Sequence, residues 1–158
     1  MCVSLTLTAD PAYQDKRKKY IDILTTELDI GVALGAHGIV LHFGSAKDTI
    51  GGETEMASVI SEALVNVLPK TKTTAATMDV SVESIVSRRI LLLENSSHEG
   101  TKLGWSLKGI KALIDQVDRN VSSQVGICWD TAHGYGAGQY DMGKIEDIKR
   151  FYKDLKRY

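Results

Sequence analysis

Val125-Gly-Ile-Cys-Trp-Asp-Thr-Ala-His-Gly134 is the stretch of sequence that decides the fold. It begins as a short apolar run, becomes polar at Asp130 and continues into glycines. This is the pattern of a buried parallel strand that delivers side chains to one edge of a sheet. Two earlier stretches follow the same plan, Gly38-Ile-Val-Leu-His-Phe-Gly44 and Ile90-Leu-Leu-Leu-Glu-Asn95. Each places a residue of metal-ligand type, His42 or Glu94, at the end of a hydrophobic strand.

Helical and extended segments alternate along the chain. Alternating and apolar runs predict strands at 3–8, 38–43, 89–94 and 124–130. Apolar residues at helical spacing predict helices over 12–34, 56–68, 106–117 and 145–155. Pro69 is expected to end the second helix, and residues 44–52, 70–88 and 134–143 are expected to be loops.

This βαβαβαβα order predicts an α/β fold with a parallel sheet and helices outside it. One alternative is an open flavodoxin-like sheet, but the first loop, Thr8–Pro11, lacks the glycine of a phosphate-binding turn. The other is a partial (β/α)8 barrel of about four βα units, in one domain over residues 1–158. A complete barrel needs roughly 250 residues, so this chain would supply about half of one. A half-barrel leaves two sheet edges and an apolar inner face open, which predicts a homodimer or a complementing chain.

Composition excludes few classes of protein function. The 158 residues carry a net charge of −1, with 43% hydrophobic and 25% charged residues, as in a globular domain without a general nucleic-acid footprint. The basic run Lys16–Lys19 falls on what should be the outer wall. Two cysteines, Cys2 and Cys128, favour a reducing compartment. No apolar run approaches the ~18 residues of a membrane span, so an intracellular protein, cytoplasmic or nuclear, is expected.

Four side chains stand where strands meet the following loops: His42, Glu94, Asp130 and His133. Taken singly, each has a structural explanation: a histidine at a strand end, an ion pair of Glu94 with an Arg or Lys, and a hydrogen-bonded pair closing the last loop. Taken together, two imidazoles and two carboxylates at neighbouring strand ends form a ligand set suited to zinc, manganese or iron. The sequence therefore predicts a metal site.

Three motifs in order resemble the endonuclease IV family of zinc-dependent apurinic/apyrimidinic endonucleases. Leu41-His-Phe-Gly-Ser45 is similar to the family's His-Pro-Gly-Ser strand end, and Leu93-Glu-Asn-Ser-Ser-His-Glu-Gly100 to its Glu-Asn-Thr-Ala-Gly-Gln-Gly segment. Gly126-Ile-Cys-Trp-Asp-Thr-Ala-His-Gly-Tyr-Gly-Ala-Gly138 resembles its Gly-Val-Cys-Asp-Thr-Cys-His signature. The likeness covers nearly the whole chain and the central part of the family's length.

The resemblance implies a role for each candidate residue. His42 would bind the first zinc of a trinuclear cluster, and Glu94 would bridge the first and second zincs and hold the attacking hydroxide. Asp130 would bind the second zinc and His133 the third. The implied reaction is hydrolysis of the DNA backbone 5′ to an abasic site, with the damaged nucleotide flipped out.

The chain also departs from the family pattern. The family's earliest histidine ligand would fall near Cys2, and its later His, Asp-x-His and Glu ligands have no counterpart in these residues. Phe43 replaces a proline, and His98-Glu99 replace Gly-Gln; we interpret His98 as an exposed loop residue rather than a fifth ligand. Each zinc site would be incomplete, so activity of this chain alone is left open. Two alternatives remain: a single-metal sugar isomerase or epimerase, and a non-catalytic half-barrel that serves as an assembly module.

Overall fold

A computed structural model of the chain describes residues 2–4, 7–8, 13–42, 44–47, 52–77 and 91–157. The strands are β1 (Cys2–Ser4), β2 (Leu7–Thr8), β3 (Ile39–His42), β4 (Ala46–Lys47), β5 (Leu91–Glu94) and β6 (Val125–Cys128). The helices are α1 (Tyr13–Ala33), α2 (Gly52–Thr77), α3 (Leu107–Ile114), α4 (Thr131–Gly136) and α5 (Ile145–Arg157). A short 3-10 turn, Ser122–Gln124, leads into β6.

The main sheet has four parallel strands in the order β1-β3-β5-β6. Its register pairs His42 with Glu94 and Glu94 with Cys128, so three strands end at the same level. β2 and β4 form a separate parallel pair. Each main strand is thus joined to the next by a crossover containing a helix, as expected for parallel strands. This architecture confirms the α/β class and the parallel sheet.

The hydrophobic core lies between one face of the sheet and the helices. Leu41, Leu91 and Leu93 are fully buried on that face, while Val40 and Leu92 are only partly buried. Because alternate residues of a strand point to opposite faces, Val40 and Leu92 belong to the other face, and so do His42 and Glu94. Helix α1 packs on α2, and the helical part of the core comprises Leu24, Leu28, Met56, Ile60, Leu64, Ile110 and Leu113.

A charged side chain reinforces the contact between α1 and α2. The Arg17 guanidinium donates to Glu55 at 2.7 Å, to Glu62 at 2.8 Å and to the Ser58 hydroxyl at 2.9 Å. Arg17 therefore belongs to the structural helix pair, and it is already engaged by side chains of α2.

Two predictions of local structure are wrong. Pro69 does not end the second helix, because α2 continues to Thr77 and includes residues expected in a loop. Proline in a helix removes one hydrogen bond and costs about 3 kcal/mol, which disfavours the helix without forbidding it. The glycine-rich segment expected as a loop begins inside a helix, since α4 covers Thr131–Gly136. The rest of the predicted loop 70–88, from 78 onward, lies outside the described residues.

The other predicted helices and strands are confirmed to within a few residues. The first predicted strand is found as β1 and β2, with residues 5–6 outside the described ranges, and β4 lies within the predicted loop 44–52. Among the described residues, no helix is long and apolar enough to cross a membrane.

Candidate metal centre

Glu94 stands at the centre of a cluster at the carboxyl ends of the strands. It is the last residue of β5 and only 8% exposed. Its Oε2 lies 2.8 Å from His42 Nε2, and its Oε1 lies 3.4 Å from His133 Nδ1. A carboxylate at such a buried position requires a proton, a cation or strong donors to be stable. Here the contact with His42 Nε2 fills that need, and the His133 ring lies on the other side of the carboxylate.

Asp130 reaches the cluster from the end of β6. One ligand atom each from Glu94, Asp130 and His133 lies within 4.8 Å of the other two, close enough to hold one metal ion. Asp130 Oδ2 is 3.8 Å from His133 Nδ1. The rings of His42 and His133 meet edge to face, with centroids 6.3 Å apart. All four residues singled out in the sequence are therefore brought together, His42 through its contact with Glu94.

Asp130 also caps helix α4. Its backbone is extended, and its Oδ1 accepts a hydrogen bond of 2.8 Å from the backbone N–H of His133. An aspartate at this position satisfies one of the free amides of a helix start, which explains why glycine-containing residues form a helix here. This hydrogen bond, aided by the nearby His133 ring, holds the pKa of the Asp130 carboxyl below its ordinary value. Asp130 is thus kept in the charged form that a metal ligand needs.

His133 is oriented by a backbone carbonyl. Its Nδ1 lies 2.9 Å from the carbonyl oxygen of Asn95. Because a carbonyl can only accept, this contact requires a proton on Nδ1, which leaves Nε2 with the lone pair in a neutral ring. Histidine ligands of metals commonly donate their other N–H to a carbonyl in this way. Ligation through Nε2 would keep this hydrogen bond, whereas ligation through Nδ1 would require His133 to give it up.

Asn95 is a site residue whose role the sequence reasoning missed. Its side chain is 1% exposed and makes two hydrogen bonds to the Asp130 backbone: it accepts from the N–H at 2.6 Å and donates to the carbonyl at 2.9 Å. It therefore ties the ends of β5 and β6 together directly behind the cluster. The sequence did contain an indication of this role, because Asn95 directly follows Glu94, the carboxylate at the end of a buried strand.

The loop after β5 is folded back beside the cluster. Ser96 donates to the carbonyl of Leu103 at 2.8 Å, and a bridge joins Ser45 to Lys102. His98 is exposed on this loop, and its ring stacks on Trp105 with the centroids 4.2 Å apart. This agrees with the interpretation of His98 as a loop residue, and it does not join the ligand group. Cys2 belongs to β1, but its side chain lies outside what the structure describes.

The donor set suits a divalent transition metal. Two carboxylates and two imidazoles, without a thiolate in the cluster, provide the nitrogen and oxygen ligands that zinc, manganese and iron accept. The residues present therefore fit a metal ion.

Comparison with known proteins identifies the family. Residues 2–157 match the family model described as the xylose isomerase-like TIM barrel. Similar curated relatives, each named probable endonuclease 4, come from Thermotoga neapolitana (34% identical over 98% of this chain), Thermotoga maritima (31% over 88%) and Natranaerobius thermophilus (31% over 85%). The alignments cover 47%, 42% and 41% of those relatives, so the chain spans less than half of their length. The chain belongs to the xylose isomerase-like TIM barrel family, and its four parallel strands with their helices are part of such a barrel.

Proposed function

We propose that this chain is a metal-dependent DNA endonuclease of the endonuclease IV type, which hydrolyses the phosphodiester bond 5′ to an abasic site. The observation that carries the proposal is the cluster of Glu94, Asp130, His133 and His42 at the carboxyl ends of adjacent strands, where barrel enzymes place their active sites. The relatives named probable endonuclease 4 support the same assignment.

We assign zinc to this site, with Glu94 as the central ligand. His42 and His133 approach different oxygens of Glu94, at 2.8 and 3.4 Å, so the two oxygens face two different positions. A carboxylate used in this way can serve two metal ions at once. When bound, the metal supplies a hydroxide nucleophile near neutral pH and stabilises negative charge on the phosphate. Three ions would match the resemblance, and the two oxygens of Glu94 would serve two of them.

The chain's own residues would prepare the site for this reaction. Glu94, with a nearly buried side chain, would hold its position because the strand on each side of β5 is in register with it. The partly exposed side chains of His42, His133 and Asp130 would face the incoming phosphate. Asn95 and the start of α4 would keep Asp130 and His133 from rotating away when the charge at the site changes.

Two other functions would use the same residues. A sugar isomerase or epimerase would use Glu94 and Asp130 on a single metal ion, and the family description names xylose isomerase. A non-catalytic assembly module would bind no metal or would bind it without catalysis. Metal stoichiometry separates these from the nuclease, because the nuclease is expected to hold more than one ion per site.

Cleavage of an abasic-site duplex tests the proposal. We expect zinc-loaded protein to cleave an oligonucleotide duplex with one abasic site, leaving a 3′-hydroxyl, and a chelator to abolish the cleavage. Glu94→Gln should lower the cleavage rate at least about a hundredfold, as is typical when an electrostatic group at the reacting centre is lost. The metal content of both proteins should be measured on the same samples.

The matched control is Glu27→Gln. Glu27 lies near the carboxyl end of α1, which leads back to the start of β3, so it stands at the opposite end of the strands from Glu94, and this substitution should leave the rate unchanged. Absence of cleavage by folded, zinc-loaded protein, or equal loss in both variants, would refute the nuclease proposal for this chain. A single bound metal with no cleavage would favour the isomerase alternative.

A further inference from the structure

The loop between β5 and α3 holds an exposed ion pair. Lys102 Nζ lies 2.7 Å from Glu99 Oε2, and the two side chains are 42% and 69% exposed. The roles proposed above for the metal cluster use neither residue. Ion pairs exposed in this way contribute little to stability, because water screens their charges. Another anion can therefore replace Glu99 beside Lys102 at a small cost in free energy.

Backbone contacts place Lys102 close to the strand that carries His42. A β-bridge joins Lys102 to Ser45, which follows shortly after His42 in the chain. The next residue, Leu103, donates its N–H to the carbonyl of Gly44 at 3.3 Å. The loop after β5 is thus tied to the loop after β3, at the end of the sheet where the candidate metal ligands lie.

The partner of Lys102 also lies near the cluster. Hydrogen bonds from Lys102 and Ser97 hold the pKa of the Glu99 carboxyl below its ordinary value, and the nearby His133 ring lowers it further. Ser97 packs on α4, since a Cβ at Gly136 would lie 3.6 Å from the Ser97 Cβ. Glu99 is therefore within electrostatic reach of His133, and Lys102 is separated from the ligand group by this one carboxylate.

The loop has contacts that hold its shape without the ion pair. The Ser96 N–H donates to the carbonyl of Gly104 at 3.2 Å. The backbone has positive φ at His98 (61°), at Gly100 (57°) and at Gly104 (68°). Such a value is uncommon outside glycine and persists at His98 only because neighbouring contacts fix it, among them the stack of its ring on Trp105. The loop therefore fixes the position of the Lys102 backbone independently of Glu99.

We propose that Lys102 is a substrate-binding residue that contacts a phosphate oxygen of the DNA backbone at the metal cluster, with Glu99 as its partner until the phosphate arrives. A phosphate accepts charge-assisted hydrogen bonds from a lysine, which are stronger than those between neutral groups. Glu99 repels the same phosphate, because like charges placed together oppose binding. The two residues thus have opposite effects on affinity. The inference rests on the proposed function, since the phosphate belongs to the substrate named there.

A pair that served only to hold the loop would behave differently. Lys102→Gln and Glu99→Gln each remove the same ion pair. If the pair were only structural, the two substitutions would therefore change DNA binding in the same direction. If Lys102 contacts the phosphate, they change it in opposite directions, which separates the two explanations.

Fluorescence anisotropy with a labelled duplex that has one abasic site measures the affinity. The protein is treated with chelator so that the duplex stays uncleaved. We expect Lys102→Gln to raise the Kd about tenfold near about 50 mM salt and to reduce the slope of log Kd against log salt concentration by about one, as for the loss of one phosphate contact. Lys102→Arg keeps the charge and should stay within about threefold of the original Kd. Glu99→Gln should lower the Kd about threefold, the size expected for an exposed charge.

Arg119→Gln is the matched control. Arg119 is an exposed cation between α3 and β6, at the opposite end of the strands from the cluster, so its loss should leave the Kd unchanged. All the replaced side chains are exposed, and circular dichroism should show that each variant keeps its fold. The inference is overturned if Lys102→Gln weakens binding no more than Arg119→Gln, if Glu99→Gln raises the Kd, or if the duplex does not bind measurably.

The failure of this inference can be told apart from the failure of the proposed function. Affinity is measured without cleavage, whereas the nuclease proposal is tested by cleavage with zinc. Opposite shifts of the Kd in a protein that does not cleave would support the phosphate contact and refute only the nuclease activity. Cleavage by a protein whose Kd ignores both substitutions would refute only the role of Lys102.

Discussion

Asn95→Ala should weaken the metal centre without touching a ligand. Asn95 makes two hydrogen bonds to the backbone of Asp130, at 2.6 and 2.9 Å, and is almost fully buried. Alanine would leave the N–H and the carbonyl of Asp130 without these partners. The contact between the Asn95 backbone carbonyl and His133 would remain, because it does not use the side chain. The substitution therefore acts selectively on Asp130.

The magnitude follows from these two bonds. A typical protein hydrogen bond contributes about 0.5–1.5 kcal/mol, and a buried group left without a partner costs about 1–3 kcal/mol. Asp130 is partly exposed, so water can reach part of the freed backbone. We therefore expect the free energy of unfolding to fall by about 1–3 kcal/mol. We also expect metal affinity to fall by about 10–100-fold, the usual effect of losing a group that orients a ligand.

Two measurements check this prediction. Urea denaturation of chelator-treated protein gives the change in the free energy of unfolding, and titration with zinc gives the change in affinity. Asn66→Ala, an exposed amide on α2, is the control and should change stability by less than about 0.5 kcal/mol. If Asn95→Ala lowered stability as expected but left metal affinity within twofold of the original, Asn95 would be only a structural link between two strands, and its positioning role would be refuted.

Two further predictions concern α4. The hydrogen bond from the His133 N–H lowers the pKa of Asp130 in the folded protein. The charged carboxylate should therefore stabilise the metal-free protein above its ordinary pKa near 4. This stabilisation should be lost as the pH falls through the lower pKa of the folded state. Asp130→Asn keeps the capping oxygen and should flatten the dependence of the urea midpoint on pH below about 5; an unchanged dependence would count against this cause. At Gly134, a Cβ would lie 2.7 Å from the Trp129 ring, so Gly134→Ala should lower stability by about 1–3 kcal/mol. The matched Gly136→Ala, whose Cβ would meet its nearest atom at 3.6 Å, should cost nothing, and equal losses in the two variants would contradict the steric explanation.

The sheet and its functional edge could be predicted because their signals are local. Each of β3, β5 and β6 is a short apolar run that ends in a polar residue, and parallel strands align such ends by construction. The position of His42 beside Glu94 follows from that rule and from strand order. The spacing of Asp130 and His133 then placed both in the same region, although their individual hydrogen bonds could not be read from spacing.

The predictions that failed depended on competition between local signals. Pro69 disfavours a helix, but its cost is of the same order as the gain from a few packed turns, and α2 continues past it. At the end of β6, the glycines favour a loop, whereas Asp130 favours a helix start; the cap hydrogen bond to His133 prevails. A sequence pattern gives only the average preference of each residue type for helix or loop. Whether a helix begins at Asp130 depends on whether a particular backbone amide, here that of His133, finds an acceptor.

The metal cluster depends on one contiguous part of the sheet. The ligand candidates come from β3, β5 and β6, three consecutive strands whose register is set within one chain. Asn95 and the α4 cap complete their support from the same chain. The geometry of the cluster is therefore set by three adjacent strands and the loops that follow them. This is why Asn95→Ala, which removes a contact behind the ligands and no ligand, is expected to change metal affinity.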